Sequence, residues 1–189
     1  MTLYTLKEPP KISKKEILRY AGAKNDGQYE TLLDECIKEC EEVIVYRLCY
    51  EICPLEIKDD TLKIGEMSFY SKDLAKCLGE SKKVIVLAAT LGVGLDRLIN
   101  KYSKILPSKA LFFQAIGSER IEALSDAFCR DFGKALTPRF SAGYGDLSLE
   151  AQKEIFKLLD ITKTIGVTLT DGFMMSPVKS VTAFVGIKE

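Results

Sequence analysis

The sequence predicts an α+β fold, a single domain over residues 1–189 in which a mixed, largely antiparallel sheet is flanked by helices. Three observations carry this reading. Tyr29, Leu32, Leu33, Cys36, Ile37, Cys40, Val43 and Ile44 recur at the three- and four-residue spacing of one helical face. Lys83 to Ala89 (KVIVLAA) is a short apolar run set among helical segments, the pattern of a strand buried on both faces. The last two β-rich segments follow one another directly, whereas the earlier ones are separated by helices.

Taken in order, Ser13-Lys14-Lys15-Glu16 fits a capping box, and Gly22 supplies the stop for a helix over about residues 14 to 21. After the helix that starts at Tyr29, Val45 to Ile57 and Thr61 to Ile64 read as strands, and Ser71 caps a helix towards Gly79. The run Thr90-Leu91-Gly92-Val93-Gly94 turns from the buried strand into a helix ending near Tyr102. Pro107 opens a long helix to about Leu136, with Gly117 as a place for a kink, and this helix delivers the chain into the loop Thr137 to Gly145. Ser148 caps a helix with the apolar face Ala151, Ile155, Leu158, Leu159 and Thr162, stopped by Gly166. Val167 to Thr170 and Ser180 to Ile187 are the closing strands, with Asp171-Gly172 as the turn between them.

Composition excludes several classes of function. The 27 basic and 27 acidic residues cancel without a Lys/Arg block, so no electrostatic footprint for nucleic acid is present. No apolar run is long enough to span a bilayer and no signal-peptide core opens the chain, so a cytoplasmic protein with no membrane partner is expected. The absence of histidine removes Ser-His-Asp and Cys-His catalysis, histidine acid-base chemistry and His-containing zinc sites. Carboxylates, Arg, Tyr, Cys or a borrowed cofactor must do any chemistry.

Cys36-x3-Cys40 and Cys49-x3-Cys53 have the look of a thiolate metal site, but the first pair repeats with the apolar stripe of its helix. The second pair, if on one strand, is about 13 Å apart at about 3.3 Å per residue. Core-filling cysteines and no metal are therefore expected. Gly92-Val93-Gly94 resembles a nucleotide loop only weakly, since Arg97 stands where a third glycine would and Asp96 would repel a phosphate. On the long helix Glu119, Glu122 and Asp126 fall within about 60° of one another, opposite Phe113, Leu124, Phe128 and Phe132. That stripe reads as a solvated face that can also offer carboxylates to a cation. The loop Arg139 to Gly145 combines a cation, two glycines and Tyr144, a set suited to a small zwitterion: Arg139 can grip a carboxylate with two hydrogen bonds, and glycines expose the backbone.

Arg139-Phe140-Ser141-Ala142-Gly143-Tyr144 resembles the R-x-x-x-G-Y motif of the activation (reactivation) domain of cobalamin-dependent methionine synthase. The resemblance runs through the IFKLLD helix, Lys163 to Thr170, Met175-Ser176-Pro177 and Ser180-Val181-Thr182, and is specific over Glu122 to Phe184. Ile17 to Gly22, the KVIVLAATLG strand and the acidic helix fit more loosely. It implies the fold of that activation domain in stand-alone form.

The resemblance also implies a set of ligand residues. In the family the arginine is associated with the carboxylate of S-adenosylmethionine, the glycine-tyrosine end lines the ligand, and a glutamate on the preceding helix lies near its amino group. Carried over, these roles fall to Arg139, Gly143 and Tyr144 with Ala142 beside them, and to Glu122. No residue is assigned a catalytic role. The family has an acidic ligand residue ahead of its first helix, where this sequence has Pro9-Pro10-Lys11, and it usually has a further strand bearing a site tyrosine beyond the point where this sequence ends. These departures point to weak or partner-completed binding.

The implied activity is reductive reactivation. Cobalamin in the Co(II) state, carried by a separate methionine synthase or related corrinoid methyltransferase, takes an electron from a flavodoxin-like donor and a methyl group from S-adenosylmethionine. Such a module serves methionine biosynthesis as an accessory to a methyltransferase. The residues leave two other readings open: a scaffold or assembly subunit that has lost S-adenosylmethionine, and an independent small-molecule methyltransferase.

Overall fold

The computed structural model describes residues 1–188. Along the chain they form β1 (Thr2–Tyr4), α1 (Lys14–Ala21), α2 (Glu30–Glu41), β2 (Arg47–Lys58), β3 (Thr61–Ile64), β4 (Met67–Tyr70) and α3 (Lys72–Leu78). Then come β5 (Lys83–Thr90), α4 (Val93–Ile105), α5 (Pro107–Asp131), a 3-10 turn at Leu149–Ala151, α6 (Gln152–Leu159) and α7 (Ile161–Ile165). The chain closes with β6 (Thr168–Leu169), β7 (Met175–Ser176) and β8 (Ser180–Ile187).

The main sheet has the order β4-β3-β2-β5-β8, and every described pairing is antiparallel. β1 pairs with β2 from Thr2↔Tyr50 to Tyr4↔Leu48, on the edge whose later part, Leu55 to Lys58, pairs with β3. β5 lies at the centre, against β2 from Arg47↔Thr90 to Pro54↔Lys83 and against β8 from Lys83↔Ile187 to Thr90↔Ser180. Successive side chains of a strand point to opposite faces. Ile85, Leu87 and Ala89 accordingly pack under α1, α2, α4 and α5, with Ile17, Leu33, Leu95, Phe113 and Phe128. Val84, Val86 and Ala88 pack under α3, α6 and α7, with Leu74, Ile155 and Ile165. This is the double burial and the α+β architecture expected from the sequence.

The local signals mostly act as read. The Ser13 hydroxyl accepts the Glu16 N–H at 3.4 Å, and Gly22 closes α1 at φ 65°. The second half of the capping box does not form, because Glu16 pairs with Arg19 at 2.7 Å and the Ser13 N–H goes to Glu119 instead. Gly94 is a packing glycine: a Cβ there would lie 2.5 Å from the Val43 carbonyl oxygen.

Several expectations are corrected. α5 stops at Asp131 rather than near Leu136, since Gly133 takes φ 71° and residues from Leu136 on join the free edge of β8. The helix expected from Ser148 to Gly166 breaks at Asp160, whose left-handed φ of 42° re-aims the next turn. Ile161 and Ile165, each 1% exposed, then face the sheet in place of Thr162, which is exposed. β6 does not join the main sheet but pairs with β7, so Asp171-Gly172 turns between those two. β1, β4 and β7 are additional strands. Among the described residues no helix is long and apolar enough to cross a membrane.

Candidate ligand site

After α5 the chain doubles back antiparallel along β8. The Thr137 N–H donates to the Gly186 carbonyl at 2.9 Å, and Phe140 and Phe184 exchange N–H bonds at 3.0 and 2.8 Å. In this extended stretch neighbouring side chains must diverge. Phe140 joins the layer under α3 and α6, while Arg139 points to α5, where Glu122 and Asp126 stand one helical turn apart. Nη2 of Arg139 donates to Glu122 at 2.6 Å and Nη1 donates to Asp126. Burial alone would lower the pKa of the guanidinium, but the Asp126 and Glu122 carboxylates together hold it above its ordinary value. Arg139 is thus a permanent cation with its fork engaged inside the chain.

Beyond Arg139 the motif forms a tight, doubly anchored loop. Ala142 and Leu147 are buried in the layer with α3 and α6. Between them the Gly143 N–H donates to the Leu147 carbonyl at 2.9 Å and the Tyr144 N–H to Ser141 at 3.2 Å. Gly143 sits at φ 87°, and Gly145, at φ 52°, passes so close to α3 that a Cβ would lie 2.3 Å from Asp73 Oδ2. Asp146 then accepts the Ser71 hydroxyl and the backbone N–H groups of Lys72 at 2.8 Å and Asp73 at 3.3 Å. These donors hold its carboxyl below the usual carboxylate range, the Ser71 hydroxyl first among them. Tyr144 is displayed at the tip, 68% exposed.

The structure therefore brings Arg139, Glu122 and Asp126 together, with Gly143 and Tyr144 on the adjoining loop tip. Ala142 instead faces the core, and among the described residues no hydrogen bond or cation–π contact joins the Tyr144 side chain to Arg139. A solvent-open groove of about 1090 Å³, lined by Lys76, Cys77, Lys82, Thr137 and Lys188 among others, meets the segment only at Thr137.

The acidic stripe on α5 divides. Glu119 is not solvated: it is 5% exposed and pairs with Arg120, itself 2% exposed. Arg120 donates to the carbonyls of Pro10 and Lys11 at 2.5 and 2.7 Å, and Glu119 accepts the Ser13 N–H at 3.1 Å. This buried cluster anchors the segment ahead of α1. Sequence reasoning missed it, although adjacent Glu119-Arg120 between Ile116 and Ile121 in an apolar helix was its available signal. Asp96 is likewise structural, accepting the Val178 N–H at 2.9 Å. Cys36 and Cys40 are buried on one face of the sheet and Cys49 and Cys53 on the other, so the sheet separates the two pairs. Burial pushes the Cys36 thiol up to about 12 and raises Cys40 and Cys49 as well.

Residues 133–189 match the family model described as vitamin B12-dependent methionine synthase, activation domain. That segment contains Arg139 to Tyr144 and all of β6 to β8. Among solved structures the chain is similar to the MetH reactivation domain bound to AdoHcy, with a TM-score of 0.64 and 15% identity over 89% of this chain and 68% of that one. No curated protein sequence matches the chain. The C-terminal third of this chain thus matches the activation domain of vitamin B12-dependent methionine synthase, and the chain as a whole has the fold of the MetH reactivation domain.

Proposed function

We propose that this chain is an S-adenosylmethionine-binding module that supports reductive methylation of cob(II)alamin held on a separate methionine synthase or related corrinoid methyltransferase. The observation that carries the reading is the juxtaposition of Arg139 with Glu122 and Asp126 of α5 at the foot of the Gly143-Tyr144 loop, Arg139 and the loop lying inside the family match. The donor set fits the ligand's amino-acid end: Arg139 for the carboxylate, Glu122 for the ammonium, and the exposed Tyr144 ring and glycine backbone for the remainder. When bound, S-adenosylmethionine supplies the methyl group, while an external flavodoxin-like donor supplies the electron. The chain's own share is positioning, which converts a bimolecular encounter into an oriented one without acid-base residues. With no histidine to offer cobalt, this chain leaves the corrinoid to its partner.

A scaffold role without ligand is favoured by two observations: Arg139 already has internal partners, and the Pro10 and Lys11 carbonyls serve Arg120. Titration of the protein with S-adenosylmethionine decides between them. Saturable binding, weakened in Arg139→Ala, supports the ligand reading, and no heat or dialysis retention at millimolar ligand selects the scaffold.

A further inference from the structure

Both terminal nitrogens of Arg139 are engaged within the chain, Nη1 by Asp126 and Nη2 by Glu122. The guanidinium keeps further N–H donors, but a ligand carboxylate that grips Nη1 and Nη2 together competes with both arms for the same two nitrogens. If neither arm left, three carboxylates would surround one guanidinium, and like charges so close repel. The two arms are unequal. The Asp126 side chain is 66% exposed and the Glu122 side chain 47%, against 23% for Arg139. Asp126 can therefore return to water at small cost, whereas Glu122 gains the ligand's ammonium as a new partner.

We infer that Asp126 is an internal competitor for the ligand carboxylate: it holds Arg139 in the ligand-free chain and is released when a carboxylate-bearing ligand binds. This rests on the reading of the Arg139 loop as an S-adenosylmethionine site. The device keeps the guanidinium aimed and the loop seated before the ligand arrives, at the expense of affinity. It acts only on ligands that carry a carboxylate, because others leave the Asp126 arm in place.

The test is calorimetry of wild type, Asp126→Asn and Asp126→Ala with S-adenosylmethionine and with its decarboxylated analogue, which keeps the sulfonium, amine and adenosine. Both substitutions should tighten S-adenosylmethionine by about two- to fivefold, the range set by an exposed ion pair, and should not tighten the analogue. A bystander carboxylate would give the opposite sign, since its removal weakens both cationic ligands. Binding by wild type that either variant leaves unchanged or weakens, or equal tightening of both ligands, overturns the competition and leaves the site reading intact. No binding of either ligand to any of the three proteins overturns both.

Discussion

The Asp146 carboxylate accepts the Ser71 hydroxyl at the N-terminus of α3 and so ties the motif loop to the helix of its own layer. Because the three donors on Asp146 favour its charged form, its pKa is lower in the folded chain than in the unfolded one. The stabilisation is complete above the ordinary aspartate range and is lost as pH falls through the lowered folded value. Asp146→Asn should therefore melt below wild type at pH 7, with the gap closing as pH falls below the ordinary aspartate range. A gap that is constant with pH would show that the charge is immaterial.

Arg139→Ala should cost little stability, about 0 to 1 kcal/mol, because its partners are half exposed and screened by water. The same change should weaken S-adenosylmethionine by about 1.5 to 3 kcal/mol, the range for hydrogen bonds to charged groups. Paired thermal melts and titrations measure both. A large loss of melting temperature would make Arg139 a structural clamp instead.

Glu119→Gln should be far more damaging than any change at Glu122 or Asp126. It leaves the buried Arg120 without its carboxylate, which costs about 3 to 5 kcal/mol when one member of a buried pair is removed. Urea unfolding of the two classes of variant compares them, and equal midpoints for Glu119→Gln and Glu122→Gln would contradict the division of the acidic stripe.

That division marks the limit of what the sequence reveals. The α2 stripe and the β5 run were legible because periodicity reports directly on which faces are buried, and Cys36 and Leu33 are buried as their spacing requires. Ser71 and Ser148 were legible as caps because the hydroxyl partner is a local N–H. Glu119 looks solvated in the sequence because the groups that bury the pair lie far along the chain, the Ser13 N–H on Glu119 and the Pro10 and Lys11 carbonyls on Arg120. The internal partners of Arg139 are hidden for the same reason, lying thirteen and seventeen residues away. The break at Asp160 is invisible to periodicity, since α6 and α7 each keep a helical pattern while the chain direction changes between them. β1 and β4 are too short for alternation to stand out.

The cysteines give a chemical check on the layers. Iodoacetamide at pH 8 under native conditions should label the half-buried Cys77 and Cys129 ahead of Cys36, Cys40, Cys49 and Cys53, whose burial withholds both access and the thiolate. Peptide mass spectrometry over time reads the order. Early labelling of Cys36 would contradict its place in the core under α5.

The central claim, that the chain acts on a corrinoid carried by another protein, is tested most directly by calorimetry with a Co(II) corrinoid methionine synthase lacking its own activation domain, run with and without S-adenosylmethionine. Ligand and carrier that share one docked state must tighten each other by the same factor, about 5- to 150-fold for a coupling of about 1 to 3 kcal/mol. The account predicts association that S-adenosylmethionine strengthens within that range. Association indifferent to S-adenosylmethionine, or none under either condition, would contradict it.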